Sequence, residues 1–248
     1  MDRLVYTALT GLQRNWEAQA VTAHNLANAS TPGFRRAAAS LSPGWLAPGP
    51  GGAALAPRVQ SGGEAPHDLL RAGPVETTGN PLDVAMNGGA WLAVRDADGG
   101  EGLTRRGDLR LDATGRLVTA DGWQVLGTEG PIQLAAPASA VRIARDGTVE
   151  ARGGADAPFV AVARLRLVSP DPVELARGPD GLFRTTAPLE ADPAATVTPG
   201  ALERANVEAS AALVELVEQT RRFEFQTRLV AVARELDEGS ARLMRVEG

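Results

Sequence analysis

The chain carries a helix-like segment at each end and a long strand-like stretch between them. Residues 2–28 contain no proline, and Gly11 alone among them is a weak helix former. Asn206, a favoured N-cap residue, precedes the second helix-like segment. A chain that keeps a helix at each end and little helix elsewhere is expected to pair its termini. The sequence therefore predicts a mixed α and β fold, in which N- and C-terminal helices pair as a coiled-coil-like stalk and an all-β domain is inserted between them.

Both terminal segments repeat apolar side chains at helical spacing. In the first segment the steps alternate between four and three residues, as in the a and d positions of a heptad, with polar Gln19 interrupting. A single partner helix would cover only part of these surfaces, so we expect them to form an assembly interface with other chains. The alternative is an ordinary helical hairpin that covers a globular core. The expected interface residues are Val5, Leu9, Leu12, Trp16, Ala23, Leu26, Leu213, Leu216, Phe223, Val230, Leu236 and Leu243. Ala233 belongs to the same apolar repeat of the second segment.

The middle of the chain has a two-residue period and frequent turn signals. Short apolar runs alternate with Asn-Gly and Asp-Gly dipeptides, which accept positive φ and favour hairpins. Such a pattern is typical of a sandwich or an open barrel. The predicted organisation is an N-terminal helix and turn, a Gly/Pro-rich arm, an all-β domain, a return linker and a C-terminal helix, over residues 1–36, 37–74, 75–190, 191–205 and 206–248.

A short run of turn-forming residues is predicted to end the first helix. Pro32 disfavours the α conformation of Thr31, and Gly33 permits a turn. We expect this signature turn to fix the direction in which the chain leaves the helix. Its residues are Asn25, Asn28, Ser30, Thr31, Pro32, Gly33 and Phe34.

Composition and motifs argue against several classes of function. The chain has no cysteine, which excludes disulfides and thiolate chemistry, and its net charge of −5 gives no support for nucleic-acid binding. Its two histidines, His24 and His67, are far apart and make a poor metal set. No phosphate-binding loop, nucleophile elbow or catalytic set is found, so we expect no catalytic residue, no cofactor, no metal and no small-molecule substrate. There is no apolar run of membrane-spanning length and no signal-peptide core, so we expect no membrane insertion and no cleaved leader.

Four blocks of the sequence carry a resemblance to a known family. They are HNLANASTPGFR at residues 24–35, TGNPLDVAMNGGAWLAV at 78–94, GLTRRGDLRLDATGRLVTADGWQVLG at 102–127 and LERANVEASAALVELVEQTRRFEFQTRLV at 202–230. In this order and at this spacing, they resemble the bacterial flagellar basal-body rod and hook proteins. The chain departs from the family pattern at Leu103, where an aromatic residue is usual, and at Trp91-Leu92, where two phenylalanines are frequent.

The resemblance implies a non-catalytic structural subunit of the proximal rod, with a distal-rod or hook-type axial protein as the alternative. It further implies passage through the flagellar export apparatus, assembly with other rod proteins across the periplasm, and transmission of torque. The terminal helices would then build an inner tube, with the β domain outside it. Two alternatives from other classes are a cell-wall hydrolase, against which the missing catalytic set argues, and a monomeric binding module with a helical stalk.

Overall fold

The computed structural model describes residues 2–38, 43–45, 59–61, 67–68, 70–134, 139–154, 156–185 and 188–246. The chain divides into two compact units. We call residues 1–28, 36–69 and 207–248 the helical unit, and residues 29–35 and 70–206 the β-rich unit. The expected organisation placed a boundary after residue 36, whereas here the segment 29–35 lies in the β-rich unit, because its hydrogen bonds join it to that unit.

The helical unit contains the two long helices, α1 (Asp2–Ala27) and α2 (Ala209–Val246). Its short strands are β1 (Ala37–Ala38), β2 (Pro43–Trp45), β3 (Val59–Ser61) and β4 (His67–Asp68), where β1 pairs with β4 and β2 with β3, both antiparallel. The predicted helix at each end of the chain is confirmed. However, α2 begins after Asn206: the amide of Ala212 donates to the carbonyl of Glu208 at 3.0 Å, which makes Glu208 the N-cap.

The β-rich unit is built from antiparallel strands. They are β5 (Val75–Thr77), β6 (Val84–Met86), β7 (Trp91–Arg95), β8 (Glu101–Thr104), β9 (Leu109–Leu111), β10 (Leu117–Thr119), β11 (Gln124–Gly127), β12 (Gly130–Pro131), β13 (Ala140–Ile143), β14 (Thr148–Arg152), β15 (Val160–Arg164), β16 (Leu167–Val168), β17 (Ala176–Arg177), β18 (Phe183–Arg184), β19 (Val197–Pro199) and β20 (Ala201–Glu203), with a 3₁₀ turn at Pro172–Glu174. The all-β middle is therefore confirmed. Glycine has positive φ in every predicted Asn-Gly and Asp-Gly turn, at Gly88, Gly99, Gly122, Gly147 and Gly181.

The largest sheet has the strand order β17-β18-β8-β7-β11-β10-β9, with β12 added beside β11 and β16 beside β7. A second sheet has the order β13-β14-β15, and two strand pairs, β6 with β19 and β5 with β20, complete the unit. Each face of β7 meets a different hydrophobic cluster. Leu92 and Val94 lie in the larger one, and Trp91 and Ala93 pack with Leu103 in the smaller one. The two places where the sequence departs from the family pattern are thus buried packing positions.

The region expected as a return linker, 191–205, differs from that expectation. It contains β19 and β20, whose Val197 and Ala201 are 0% and 1% exposed. Pro199 and Gly200 suggested a linker, but Pro199 ends β19 and Gly200, with φ 67°, forms the turn to β20. Because β19 pairs with β6 and β20 with β5, this stretch is an integral part of the β-rich unit.

Candidate assembly surface and signature turn

Helices α1 and α2 pack against each other through small and polar residues. Along α1 the contact follows Gly11, Asn15, Ala18 and Thr22, at steps of four, three and four residues. Ala18 and Thr22 are buried at 8% and 3% exposure. The pairing therefore has heptad spacing, but its side chains are not the apolar ones that the sequence reasoning selected.

Gln219 is the main partner of this line on α2. Its side-chain amide donates to the Thr22 hydroxyl at 2.9 Å, and its main-chain carbonyl accepts from Asn15 Nδ2 at 3.1 Å. Nearby, Gln19 Nε2 donates to the Thr220 hydroxyl at 3.0 Å. Gln19, which interrupts the predicted heptad pattern, thus contributes to the helix contact. Hydrogen bonds set the register of the two helices, as buried polar residues do in coiled coils.

Three of the predicted apolar residues of α1, Leu12, Trp16 and Ala23, each lie one position after a residue of the contact line. One residue turns a helix by about 100°, so these side chains point to the side of the contact with α2 and not into it. Leu9 and Trp16 lie about 160–180° around the helix from Ala18 and are 61% and 65% exposed. Ala23 is also exposed, whereas Leu12 and Leu26 are half-buried. Val5 is on the helix, but its side chain lies outside the described set.

On α2 the predicted residues divide between two environments. Leu216, Phe223 and Val230 are half-buried beside the contact with α1, and Leu213 is 50% exposed. The side chains of Ala233, Leu236 and Leu243 lie outside the described set, although all three positions belong to the helix.

Sequence reasoning missed a second set of apolar residues on α2. These are Val214, Val217, Phe225, Leu229 and Val232, each between 48% and 63% exposed. Most of them lie about 120–160° around the helix from Gln219, on the side facing away from α1. The seven-residue step from Phe225 to Val232 was available as a signal, but Arg221 and Arg228 lie among these residues and obscured it.

The signature turn begins with an amide side chain at the end of α1. Asn25 is 2% exposed, and its side chain exchanges two hydrogen bonds with the main chain of Ala37, at 2.7 and 2.9 Å. The Asn25 side chain thus forms the two hydrogen bonds that a residue of a neighbouring strand would form, and it fixes β1 beside the helix. Asn28 ends the helix, since its main-chain amide and its side chain both donate to the carbonyl of His24, at 3.2 and 3.0 Å.

The rest of the turn is seated in the β-rich unit. Phe34 donates its amide to the carbonyl of Thr31 at 3.3 Å, closing a turn that has Pro32 and Gly33 at its centre, and Ser30 is exposed beside it. The amide of Gly33 donates to the carbonyl of Glu203 at 2.7 Å. Gly33 has φ +68°, and a Cβ added there would lie 2.3 Å from the carbonyl carbon and oxygen of Arg105. This close approach of two main chains requires glycine.

Immediately after the turn, Arg35 enters a buried ionic cluster with Glu203 and Arg105. The three residues are 2%, 2% and 3% exposed. Arg35 NH1 lies 2.5 Å from one carboxylate oxygen of Glu203, and the Arg105 guanidinium donates to the other at 2.8 and 2.5 Å. The same Glu203 carboxylate accepts from the amide of Gly73 at 2.9 Å. Burial lowers the pKa of Arg35, while the adjacent Glu203 carboxylate acts to raise it.

Aromatic rings complete the surroundings of this cluster. The guanidinium carbons of Arg35 and Arg105 lie 6.0 and 5.9 Å from the ring centre of Trp91, within the range of cation–π attraction. Trp91 in turn packs against Phe183 at a centroid distance of 4.7 Å. Arg177 lies over both Phe183 and Phe34, and it donates a hydrogen bond to the carbonyl of Arg35.

Two further features concern metal binding and the membrane. Among them there is no group of three or more His, Cys, Asp or Glu side chains placed to hold a metal ion. Neither α1 nor α2, over its described length, has a stretch apolar enough to cross a membrane.

Comparison with known proteins identifies the family. Residues 5–35 match the family described as flagella basal body rod protein, residues 85–151 match the flagellar hook protein FlgE/F/G D1 domain, and residues 198–243 match the flagellar basal body rod FlgEFG protein C-terminal region. The flagellar basal-body rod protein FlgF of Escherichia coli K12 is 42% identical, over 93% of this chain and 94% of that protein. This chain belongs to the flagellar basal-body rod protein family. FlgF of Salmonella typhimurium is 39% identical over 97% of both chains, and FlgG of Agrobacterium fabrum is 30% identical over 94% of this chain and 96% of its own length.

The buried cluster joins all three regions that match rod-protein families. Arg35 lies in the N-terminal match, Trp91 and Arg105 in the D1 match, and Glu203 in the C-terminal match. Sequence reasoning missed these residues as a site, although each of the four recognised sequence blocks contributes one of them. In the third and fourth blocks other charged residues, such as Arg110 and Glu208, are exposed, so charge alone did not distinguish the buried ones.

Proposed function

We propose that this rod-family protein is a structural subunit of the proximal rod of the flagellar basal body and polymerises through its terminal helices. Its similarity to the two FlgF proteins, over nearly the full length of each, supports the proximal type. The match to the hook protein FlgE of Rhizobium meliloti extends over 50% of this chain and 30% of that protein, which favours the rod over the hook.

The observation that carries the proposal is the exposed apolar surface on the far side of each helix from their mutual contact. Trp16 on α1 and Phe225 on α2 are 65% and 63% exposed. Burying one such side chain is worth about 1.5–3 kcal/mol, and contiguous exposed apolar residues mark interaction sites. The two helices contact each other on one side, and the opposite side of each can therefore contact a neighbouring subunit.

Two different apolar faces on one subunit favour an open assembly. When one face binds a different face of the next copy, and the rotation does not close, the product is a helical filament. A rod is such a filament, and it transmits torque when these contacts are firm. We infer that the neighbours are other rod proteins, and that the subunit reaches the periplasm through the flagellar export apparatus. A non-enzymatic role agrees with this use of the surface.

The test is to make the exposed faces polar without disturbing the isolated chain. Trp16→Ser and Phe225→Ser should leave the thermal unfolding of the purified protein nearly unchanged, because both side chains are largely exposed. In a strain that depends on this protein for swimming, the same variants should reduce motility and the amount of protein recovered in basal bodies.

Gln13→Ser is the matched control, because Gln13 is exposed and polar on the same helix as Trp16. It should leave motility and incorporation intact. Normal swimming of a Trp16→Ser/Phe225→Ser double variant would contradict the proposed assembly surface, as would an equal defect in Gln13→Ser.

A further inference from the structure

Three segments of the β-rich unit lie next to the points where the chain passes to or from the helical unit, and hydrogen bonds join these segments to one another. The chain passes between the units after residues 28, 35, 69 and 206. Arg35 NH1 donates to the carbonyl of Arg71, and Asn206 Nδ2 donates to the same carbonyl at 2.9 Å. The main-chain amide of Asn206 donates to the carbonyl of Phe34 at 3.3 Å. The segments 29–35, 70–73 and 203–206 therefore form one hydrogen-bonded junction.

Glu203 lies at the centre of this junction, and it has two cationic partners. Its main-chain carbonyl accepts from Gly33, and its carboxylate binds Gly73, Arg35 and Arg105. Two buried guanidinium groups around one carboxylate leave an excess positive charge. Buried ion pairs are weak evidence for stability, because desolvation offsets their attraction. A net gain in stability therefore does not by itself explain why a second arginine is buried beside Glu203.

The two arginines differ in how the β-rich unit uses them. Arg105 also donates to main-chain carbonyls at the end of β6 and in the loop that follows it, including Met86 at 2.8 Å and Gly88 at 3.0 Å. With Arg105 present, Glu203 is already neutralised within the core of the unit. Arg35 is not needed for charge balance, and what it adds is a fixed location for the turn that follows α1.

We propose that Arg35 and Glu203 are positioning residues, which hold the chain leaving α1 and the chain approaching α2 side by side and so fix the two points from which the terminal helices extend. This inference rests on the proposed rod function, since the benefit of fixed exit points lies in assembly. A subunit whose helices must meet neighbours on both sides needs its chain ends in one arrangement before it docks.

The test measures the separation of the two exit segments directly. The chain has no cysteine, so Ser30→Cys and Arg204→Cys, both at exposed positions of the β-rich unit, can carry a pair of spin labels. Double electron–electron resonance should give a narrow distance distribution in the parent. Arg35→Met should broaden it, lower the unfolding temperature only modestly because the Arg105–Glu203 pair remains, and abolish incorporation into basal bodies.

Arg184→Met is the control for loss of an arginine. Arg184 forms two ion pairs at the surface of the same unit, with Asp96 at 2.7 Å and Asp180 at 2.6 Å. Its loss should leave both the distance distribution and incorporation as in the parent. Arg35→Lys keeps the charge, so it should give a distance distribution of intermediate width and partial incorporation. This variant also tests the inference if Arg35→Met does not fold.

Several outcomes would overturn the inference. One is an Arg35→Met chain that is less stable but keeps the narrow distribution, because the residue would then act on stability alone. Another is a broadened distribution together with normal swimming, because the exit points would then not matter for assembly. These results are distinct from failure of the proposed apolar surface, which the Trp16 and Phe225 variants report on without altering the junction.

Discussion

Gly33→Ala adds a single methyl group at the closest contact between the signature turn and the β-rich unit. The added carbon would lie 2.3 Å from the carbonyl carbon and oxygen of Arg105 and 2.6 Å from the amide nitrogen of Arg106. These are main-chain atoms, so no rotamer change can relieve the overlap. The turn would have to move away, and its hydrogen bond to the carbonyl of Glu203 would be lost.

The expected cost has two parts. An L-residue held in the left-handed region costs about 1–2 kcal/mol. Leaving the buried amide of Gly33 without its acceptor costs about 1–3 kcal/mol more. Gly79→Ala separates these parts, because Gly79 has φ +77° but no atom within 4 Å of an added Cβ. Gly79→Ala should therefore show the first cost alone, and the difference between the variants measures the contact with Arg105.

The assay is urea unfolding of the full chain, followed by near-ultraviolet circular dichroism. Trp91, 5% exposed and next to the affected turn, contributes to that signal. The urea midpoint of Gly33→Ala should be clearly lower than that of Gly79→Ala, with unchanged slopes. Equal midpoints for the two variants would refute the argument that the turn is closely packed on the main chain of Arg105.

Three further predictions concern other parts of the chain. Leu12→Asp should fold but fail to enter the rod, because the charge would be desolvated in the proposed contact with a neighbouring subunit; normal swimming would contradict this. The hydroxyl of Thr114, followed by main-chain and arginine donors, holds the pKa of Asp112 below its ordinary value of 3.8. Ionised Asp112 therefore stabilises the fold at pH values above 3.8, and this stabilisation is lost as the pH falls through the lowered pKa of the folded state. Asp112→Asn should lower the urea midpoint at neutral pH more than in acid. A fragment of residues 70–206 should melt cooperatively, and one of 72–193 at a lower temperature, since it lacks β19 and β20; equal melting would contradict their structural role.

The parts of the fold that could be predicted from sequence depend on local signals. The absence of proline over residues 2–28 and the apolar spacing predicted the helices, and the two-residue period with Asn-Gly and Asp-Gly turns predicted the β-rich part. Each signal lies within a few residues of the structure it specifies. For the same reason Pro199 and Gly200 were misleading, because a turn between two strands and a linker have the same composition.

The parts that could not be predicted depend on contacts between distant residues. The contact of α1 with α2 uses Asn15, Thr22 and Gln219, and hydrophobic periodicity does not register such residues. The pairing of Arg35 with Glu203 and Arg105 requires three separate segments to meet in the fold. A charged residue in isolation is expected at the surface, so the sequence of each block alone gives no reason to bury it.

The chemistry of the helix contact indicates when the helices gain most of their stability. The hydrogen bonds of Asn15, Gln19 and Gln219 across this contact each contribute about 0.5–1.5 kcal/mol net. Trp16 and Phe225, still exposed in the single chain, would each contribute about 1.5–3 kcal/mol when covered. The polar contact therefore selects the register of α1 against α2, and the larger apolar gain becomes available only when a neighbouring subunit covers both helices. In a chain built in this way, pairing α1 with α2 leaves exposed the apolar side chains that we propose bind the next subunit.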